Sequence, residues 1–147
     1  MDKKVLIESE AKNITRSIEF AKKAVKYFKP GDIVLLYGDI GSGKTFLTGQ
    51  FVKLLGLVTD VSSPSFSIVN QYTGKFLVNH IDLYRINDNN ELENLGLDDL
   101  WNMDSINFIE WPQLIESSIK WEHYRIYIDF NWKENTRKLR LIECCSI

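Results

Sequence analysis

DIVLLYGDIGSGKTFLTGQFVKLL, residues 32–55, decides the fold of this chain. Its opening run, IVLLY (33–37), is continuously apolar, the pattern of a strand buried on both faces. Phe46, Leu47, Phe51, Val52, Leu54 and Leu55 then recur at helical spacing, and Gly56 is placed to end that helix. Between strand and helix, Gly38, Gly43, Lys44 and Thr45 match G-x-x-x-x-G-K-[ST], the P-loop pattern.

Each residue type in this loop has a physical task. Glycines let the backbone turn tightly and aim its N–H groups inward, where they cradle phosphate oxygens. The helix beginning near Lys44 adds the positive end of its dipole. Lys44 brings a mobile charge to β- and γ-phosphates, and the Thr45 hydroxyl is a hard oxygen ligand suited to Mg²⁺. With average residue usage the pattern arises by chance in about one in a few hundred chains of this length. Here the required strand before it and helix after it are also present.

Working outward, Ile14, Ile18, Ala21, Val25 and Phe28 predict a first helix over 11–28, which KPGD ends. FSIVNQY (66–72) and FLVNHID (76–82) flank TGK and read as a hairpin. NELENLGLDDLW (90–101) reads as one or two short helical turns, SINFIEW (105–111) as an apolar strand, and PQLIESSI (112–119) as a helix start with Pro112 first. YRIYIDF (124–130) alternates, and KLRLIEC (138–144) follows the polar turn WKENTR, which predicts a terminal hairpin. The expectation is a single α/β domain over 1–147, a P-loop NTPase-like mixed sheet with a parallel core and antiparallel hairpins, flanked by helices.

The chain has 147 residues, 44% hydrophobic and 26% charged, with a formal net charge of -2. That balance fits one globular domain with a sizeable core. No apolar run approaches a membrane span, and MDKKVLIESEAKN lacks a secretory pattern, so the expected location is the cytoplasm. Cys144 and Cys145 are adjacent and offer no metal spacing or disulfide framework; they read as inert strand-end residues. Lys22-Lys23 and Arg137-Lys138 read as solvated faces rather than a nucleic-acid footprint, so any RNA would be held mainly by a partner. Trp101, Trp121 and Trp132 read as packing residues.

A P-loop binds nucleotide without choosing the chemistry. The metal needs an acidic partner, usually at the end of a buried strand. Asp82 ends FLVNHID and Glu110 ends INFIE; spacing does not fix which binds Mg²⁺ and which orients water. The greater apolarity of the second strand favours Glu110 for the metal, with Thr45, and Asp82 for the water or the metal shell. No N-K-x-D stretch exists, which favours adenine over guanine. No arginine-rich lid supports a small-molecule kinase, and the chain is small for an AAA-type motor. An ATPase remains, with a nucleotide-gated binding module as the different-class alternative and a small-molecule kinase as a third reading.

SSPSFSIVNQY, HIDLYR, LGL and FIEWP, taken with the glycine loop, resemble the TsaE (YjeE) family in ordered blocks from about Gly31 to Pro112. The resemblance implies the small P-loop ATPase of bacterial tRNA threonylcarbamoyladenosine synthesis. It implies that Asp39, Ile40, Gly41, Ser42, Gly43, Lys44 and Thr45 bind the ATP phosphates. Ser63, Pro64 and Ser65 would form a switch-like segment near the γ-phosphate. Asp82 and Glu110 would be the acidic pair, with Trp111 packed next to Glu110, and His80, Leu83, Tyr84 and Arg85 would complete the block. His80 also reads simply as a core histidine. Ser65 stands where the family usually has threonine, and Ser42 where alanine is common. The implied role is ATP hydrolysis at a TsaB–TsaD complex, which modifies adenosine 37 of tRNA, so tRNA contact would be indirect. By itself the chain is expected to be a monomer.

Overall fold

Ile33, Val34, Leu35 and Leu36 of β2 (Ile33–Tyr37) are all buried because the strand is sandwiched between two apolar layers. Val34 and Leu36 face one core cluster, and Ile33 and Leu35 face the other. This is why the run shows no alternation. The computed structural model describes residues 2–57, 68–99, 101 and 104–145.

β2 sits at the middle of a seven-stranded sheet. It pairs in parallel with β5 (Ser105–Glu110) on one side and with β6 (His123–Asn131) on the other. β4 (Leu77–Asp82) runs parallel to β5, and β3 (Val69–Thr73) closes that edge antiparallel to β4. At the opposite edge β7 (Thr136–Cys145) and then β1 (Asp2–Ala11) add antiparallel to β6. The sheet is therefore mixed, with the expected parallel core and antiparallel flanks.

Helices α1 (Ile14–Ala24) and α2 (Lys44–Leu54) cover one face. There Phe51 stacks on Phe108 at 5.3 Å, and Phe28 meets both rings edge-on. Fully buried side chains of this size each contribute about 1.5–3 kcal/mol over exposure. Short turns cover part of the other face. Leu97, Ile115 and Ile119 from these turns pack on Ile33, Leu35, Ile81 and Ile109.

Outside the glycine loop and its surroundings, the structure departs from the sequence reading in four places. Residues 2–10 carried no structural expectation and Ala11 was expected to open the first helix; together they form β1, whose ladder partner β7 lies more than a hundred positions away. Its Val5 is 53% exposed, so no buried stripe announces the strand. The first helix accordingly starts at Ile14, not 11, with the Asn13 side chain accepting from Arg16 N at 3.0 Å, and relaxes into a 3-10 turn over Val25–Tyr27. Pro112 does open a helical segment, but it stays as two 3-10 turns, Pro112–Leu114 and Glu116–Ser118. Trp132 is 74% exposed at the hairpin tip, against Phe130, whereas Trp101 and Trp121 meet edge to face at 6.3 Å. Cys144 is buried in β7, and burial pushes its thiol pKa up, consistent with an inert role.

Candidate functional site

The loop between β2 and α2 is built by close approach. A Cβ on Gly38 would press on Ser42 Oγ and stand 3.0 Å from the Ile128 carbonyl, so only hydrogen fits there. Gly41 and Gly43 adopt φ of 78° and 111°, a region that side chains resist. Gly43 is the N-cap of α2 and has no side chain to occupy the helix's first N–H groups. These donors, with the dipole of an 11-residue helix, are therefore available to an anion. Asp39, Ile40 and Gly41 are exposed on the loop, while Ser42 is buried.

Lys44 folds back over the loop. Its Nζ donates to the Gly38 and Asp39 carbonyls, the latter at 3.1 Å, and lies 4.0 Å from the Trp111 ring centroid. Burial lowers its pKa, and the charges of Glu110, Asp82 and Asp39 act in the opposite direction. Trp111 is held at φ 56°, an uncommon backbone state for a bulky residue, between Glu110 and Pro112. The structure thus brings the tryptophan of FIEWP against the lysine of the loop.

The Thr45 hydroxyl donates to Glu110, whose two carboxylate oxygens lie at 3.2 and 3.1 Å. Parallel pairing of β4 with β5 sets Asp82 opposite Glu110. Both acids are buried. Burial raises the Asp82 pKa; the Tyr84 N–H, which donates to Oδ1 at 2.9 Å, opposes this, and the Glu110 charge adds to it. His80, one pleat before Asp82 on the same face, is hydrogen bonded through Nε2 to Glu110 Oε2. Lys44, Thr45, Asp82, Glu110 and Trp111 line one cleft of about 340 Å³. Ser63, Pro64 and Ser65 lie outside the described residues.

The donor set fits a hard divalent cation. A hydroxyl and a carboxylate are already in contact, with a second carboxylate in the neighbouring strand position. Among the described residues no three His, Cys, Asp or Glu side chains surround a common point. Mg²⁺ suits such a sparse set, because it typically takes one or two carboxylates and completes its shell with water and phosphate oxygens.

Sequence reasoning missed Arg137. Its Nε donates to the Ser42 carbonyl at 2.7 Å, and its guanidinium lies 4.7 Å from the Phe130 centroid. It braces the glycine loop from the terminal hairpin instead of belonging to a solvated basic face; Lys138, paired with Glu8 at 3.2 Å, and exposed Lys22 and Lys23 do fit that reading. The signal was present in strand alternation, since Arg137 shares its face with buried Leu139 and Leu141. Arg137 also borders a second cleft, about 240 Å³, with Ile14, Phe46 and Leu47 beside Gly43.

The family profile described as threonylcarbamoyl adenosine biosynthesis protein TsaE matches residues 11–139. The chain belongs to the TsaE family. It is 39% identical to the TsaE protein of Bacillus subtilis over 109 residues, which cover 74% of this chain and 68% of that one. It is 41% identical to TsaE of Borreliella burgdorferi over 115 residues, covering 75% and 81%. Both relatives carry the name tRNA threonylcarbamoyladenosine biosynthesis protein TsaE. Among solved structures, the crystal structure of YdiB from Bacillus subtilis superposes with a TM-score of 0.78 at 27% identity, covering 97% of this chain and 87% of that one. The TsaE profile spans the glycine loop, both acids and Arg137, so the whole described cleft falls within family territory. Among the described residues, no helix of this TsaE chain is long and apolar enough to cross a membrane.

Proposed function

We propose that this chain is a Mg²⁺-dependent ATPase that acts in tRNA threonylcarbamoyladenosine synthesis, hydrolysing ATP to support repeated turnover of a TsaB–TsaD complex. The observation that carries the ATPase reading is the Thr45–Glu110 hydrogen bond at the head of α2, directly beside Lys44 and the glycine loop. The family supplies the pathway, and the sequence resemblance supplies the partners.

In this reading the loop N–H groups and the first turn of α2 bind the phosphates of ATP. Lys44 Nζ leaves the Gly38 and Asp39 carbonyls for β- and γ-phosphate oxygens. Its partly desolvated ammonium is better compensated there by phosphate than by neutral carbonyls. Thr45 and Glu110 would hold Mg²⁺, which would supply charge neutralisation to the β- and γ-phosphates. Asp82, buried yet lining the same cleft, orients the attacking water. The apolar cleft beside Gly43, walled by Ile14 and Phe46, takes the adenine ring.

The deciding experiment measures phosphate release by the purified chain with and without the two partners, and counts modified adenosines per complex. Partner-stimulated hydrolysis coupled to multiple turnovers is expected. Modification that proceeds through many turnovers when this chain is omitted overturns the reading.

A further inference from the structure

We propose that His80 is a positioning residue for the metal-binding acid: its Nε2–H aims the Glu110 carboxylate at Thr45 and at the cation those two residues would hold. The inference rests on the functional reading above and extends it to a residue that makes no contact with nucleotide in that reading.

Strand geometry sets up the contact. β4 and β5 run parallel with Asp82 opposite Glu110 and His80 opposite Phe108, so His80 and Glu110 are diagonal neighbours on one face. The His80 side chain is 0% exposed and that of Glu110 4% exposed. Glu110 is therefore gripped from two directions. His80 Nε2 reaches it from β4, and Thr45 Oγ1 reaches it from α2. A carboxylate on the end of a strand can turn about its terminal bonds, and two donors on different elements remove that freedom.

The other ring nitrogen makes the role specific. Among the described residues, buried His80 Nδ1 has no hydrogen-bond partner. Burying an unpaired polar nitrogen is unfavourable. An aliphatic or phenyl side chain would fill the same space beside Phe108 without that cost. The imidazole is thus poorly matched to packing alone and well matched to presenting one donor at Nε2. The same logic governs second partners of metal ligands, whose removal costs about 10- to 100-fold in metal affinity.

The test compares H80F, H80L and H80Q in the full chain. Phenylalanine keeps a planar ring, leucine is the fallback should the ring overpack, and glutamine can return an amide N–H to the Nε2 position. Calorimetry with the β,γ-imido analogue of ATP, with and without Mg²⁺, is the readout. In the wild type Mg²⁺ should tighten binding. H80F and H80L should lose about 10- to 100-fold of that Mg²⁺-dependent tightening while binding the metal-free analogue as before. H80Q should retain most of it. Metal-free crystals of H80F should show the Glu110 carboxylate turned away from Thr45. Full Mg²⁺ dependence in both apolar variants, an unchanged Thr45–Glu110 pair in those crystals, or an H80Q as impaired as H80F overturns the inference alone. A wild-type chain whose affinity ignores Mg²⁺ overturns the functional reading and the inference with it.

Discussion

Thr45 and Glu110, 65 positions apart in sequence, are hydrogen bonded at 3.1 Å where the head of α2 meets the end of β5. If the two act as one metal-holding unit, their substitutions should not add. T45V and E110Q are each expected to slow hydrolysis about 100-fold, and the double variant should be little worse than either alone. Strictly additive losses in a double-mutant cycle of kcat would separate the two roles.

Lys44 belongs to phosphate rather than to the core. K44A should therefore fold with a near-normal melting temperature and lose most nucleotide affinity or hydrolysis. The Lys44 side chain is buried, and removing its ammonium relieves that burial cost. Calorimetry showing undiminished ATP affinity, together with normal phosphate release, rejects this role.

Asp82 lines the cleft, and its Oδ1 accepts from the Tyr84 backbone N–H at 2.9 Å. D82A should spare ATP binding and slow turnover by about 30- to 1000-fold, the range for losing an oriented water or one electrostatic contact. A matching loss in binding affinity would move Asp82 into the phosphate or metal shell.

Arg137 gives the Ser42 carbonyl a charged donor from a distant hairpin. Hydrogen bonds to charged groups contribute about 1.5–3 kcal/mol, so R137M should weaken nucleotide binding by up to about 100-fold as the loop loosens. Lysine is not an adequate replacement, because the guanidinium also packs on Phe130. Titration of ADP against R137M and R137K measures the effect, and wild-type affinity in both would make the brace irrelevant to binding.

His123 supplies a pH test remote from the cleft. Its Nδ1 is bonded to the Trp121 carbonyl at 2.9 Å, and its Nε2 accepts from Arg125 Nε at 3.1 Å, so protonation would break the second bond. Burial lowers its pKa below the ordinary 6.5, the Trp121 carbonyl opposes this, and the Arg125 charge adds to it. A depressed folded value means the unfolded chain binds the proton more readily. The associated stability is present above pH 6.5 and is lost as pH falls through the folded value. Urea melts of the wild type from pH 7.5 downward should show this loss, and H123Q should flatten it. An identical pH slope in both chains rejects the assignment.

Local chemistry was legible in the sequence wherever a short window held the whole cause. Ile33–Tyr37 had to be a doubly buried strand, Gly38–Thr45 a tight glycine loop from strand to helix, and Gly56 a helix stop, because burial and positive φ act within a few residues. Asp82 and Glu110 were also legible as strand-end acids. Their shared cleft was not, since it follows from β4 pairing in parallel with β5. β1 was invisible because an exposed edge strand exists through its ladder to β7, and Arg137 was misread because its partner is a backbone carbonyl 95 positions away. His80 could be read from sequence only as a histidine in an apolar strand; tertiary packing put its ring beside Glu110. The sequence by itself determined which groups could carry phosphate and metal chemistry, because that is a property of residue type and local backbone. Only the tertiary structure decided which of them meet, because hydrogen bonds act over about 3 Å, and only strand register and the packing of α2 against the sheet bring residues tens of positions apart within that reach.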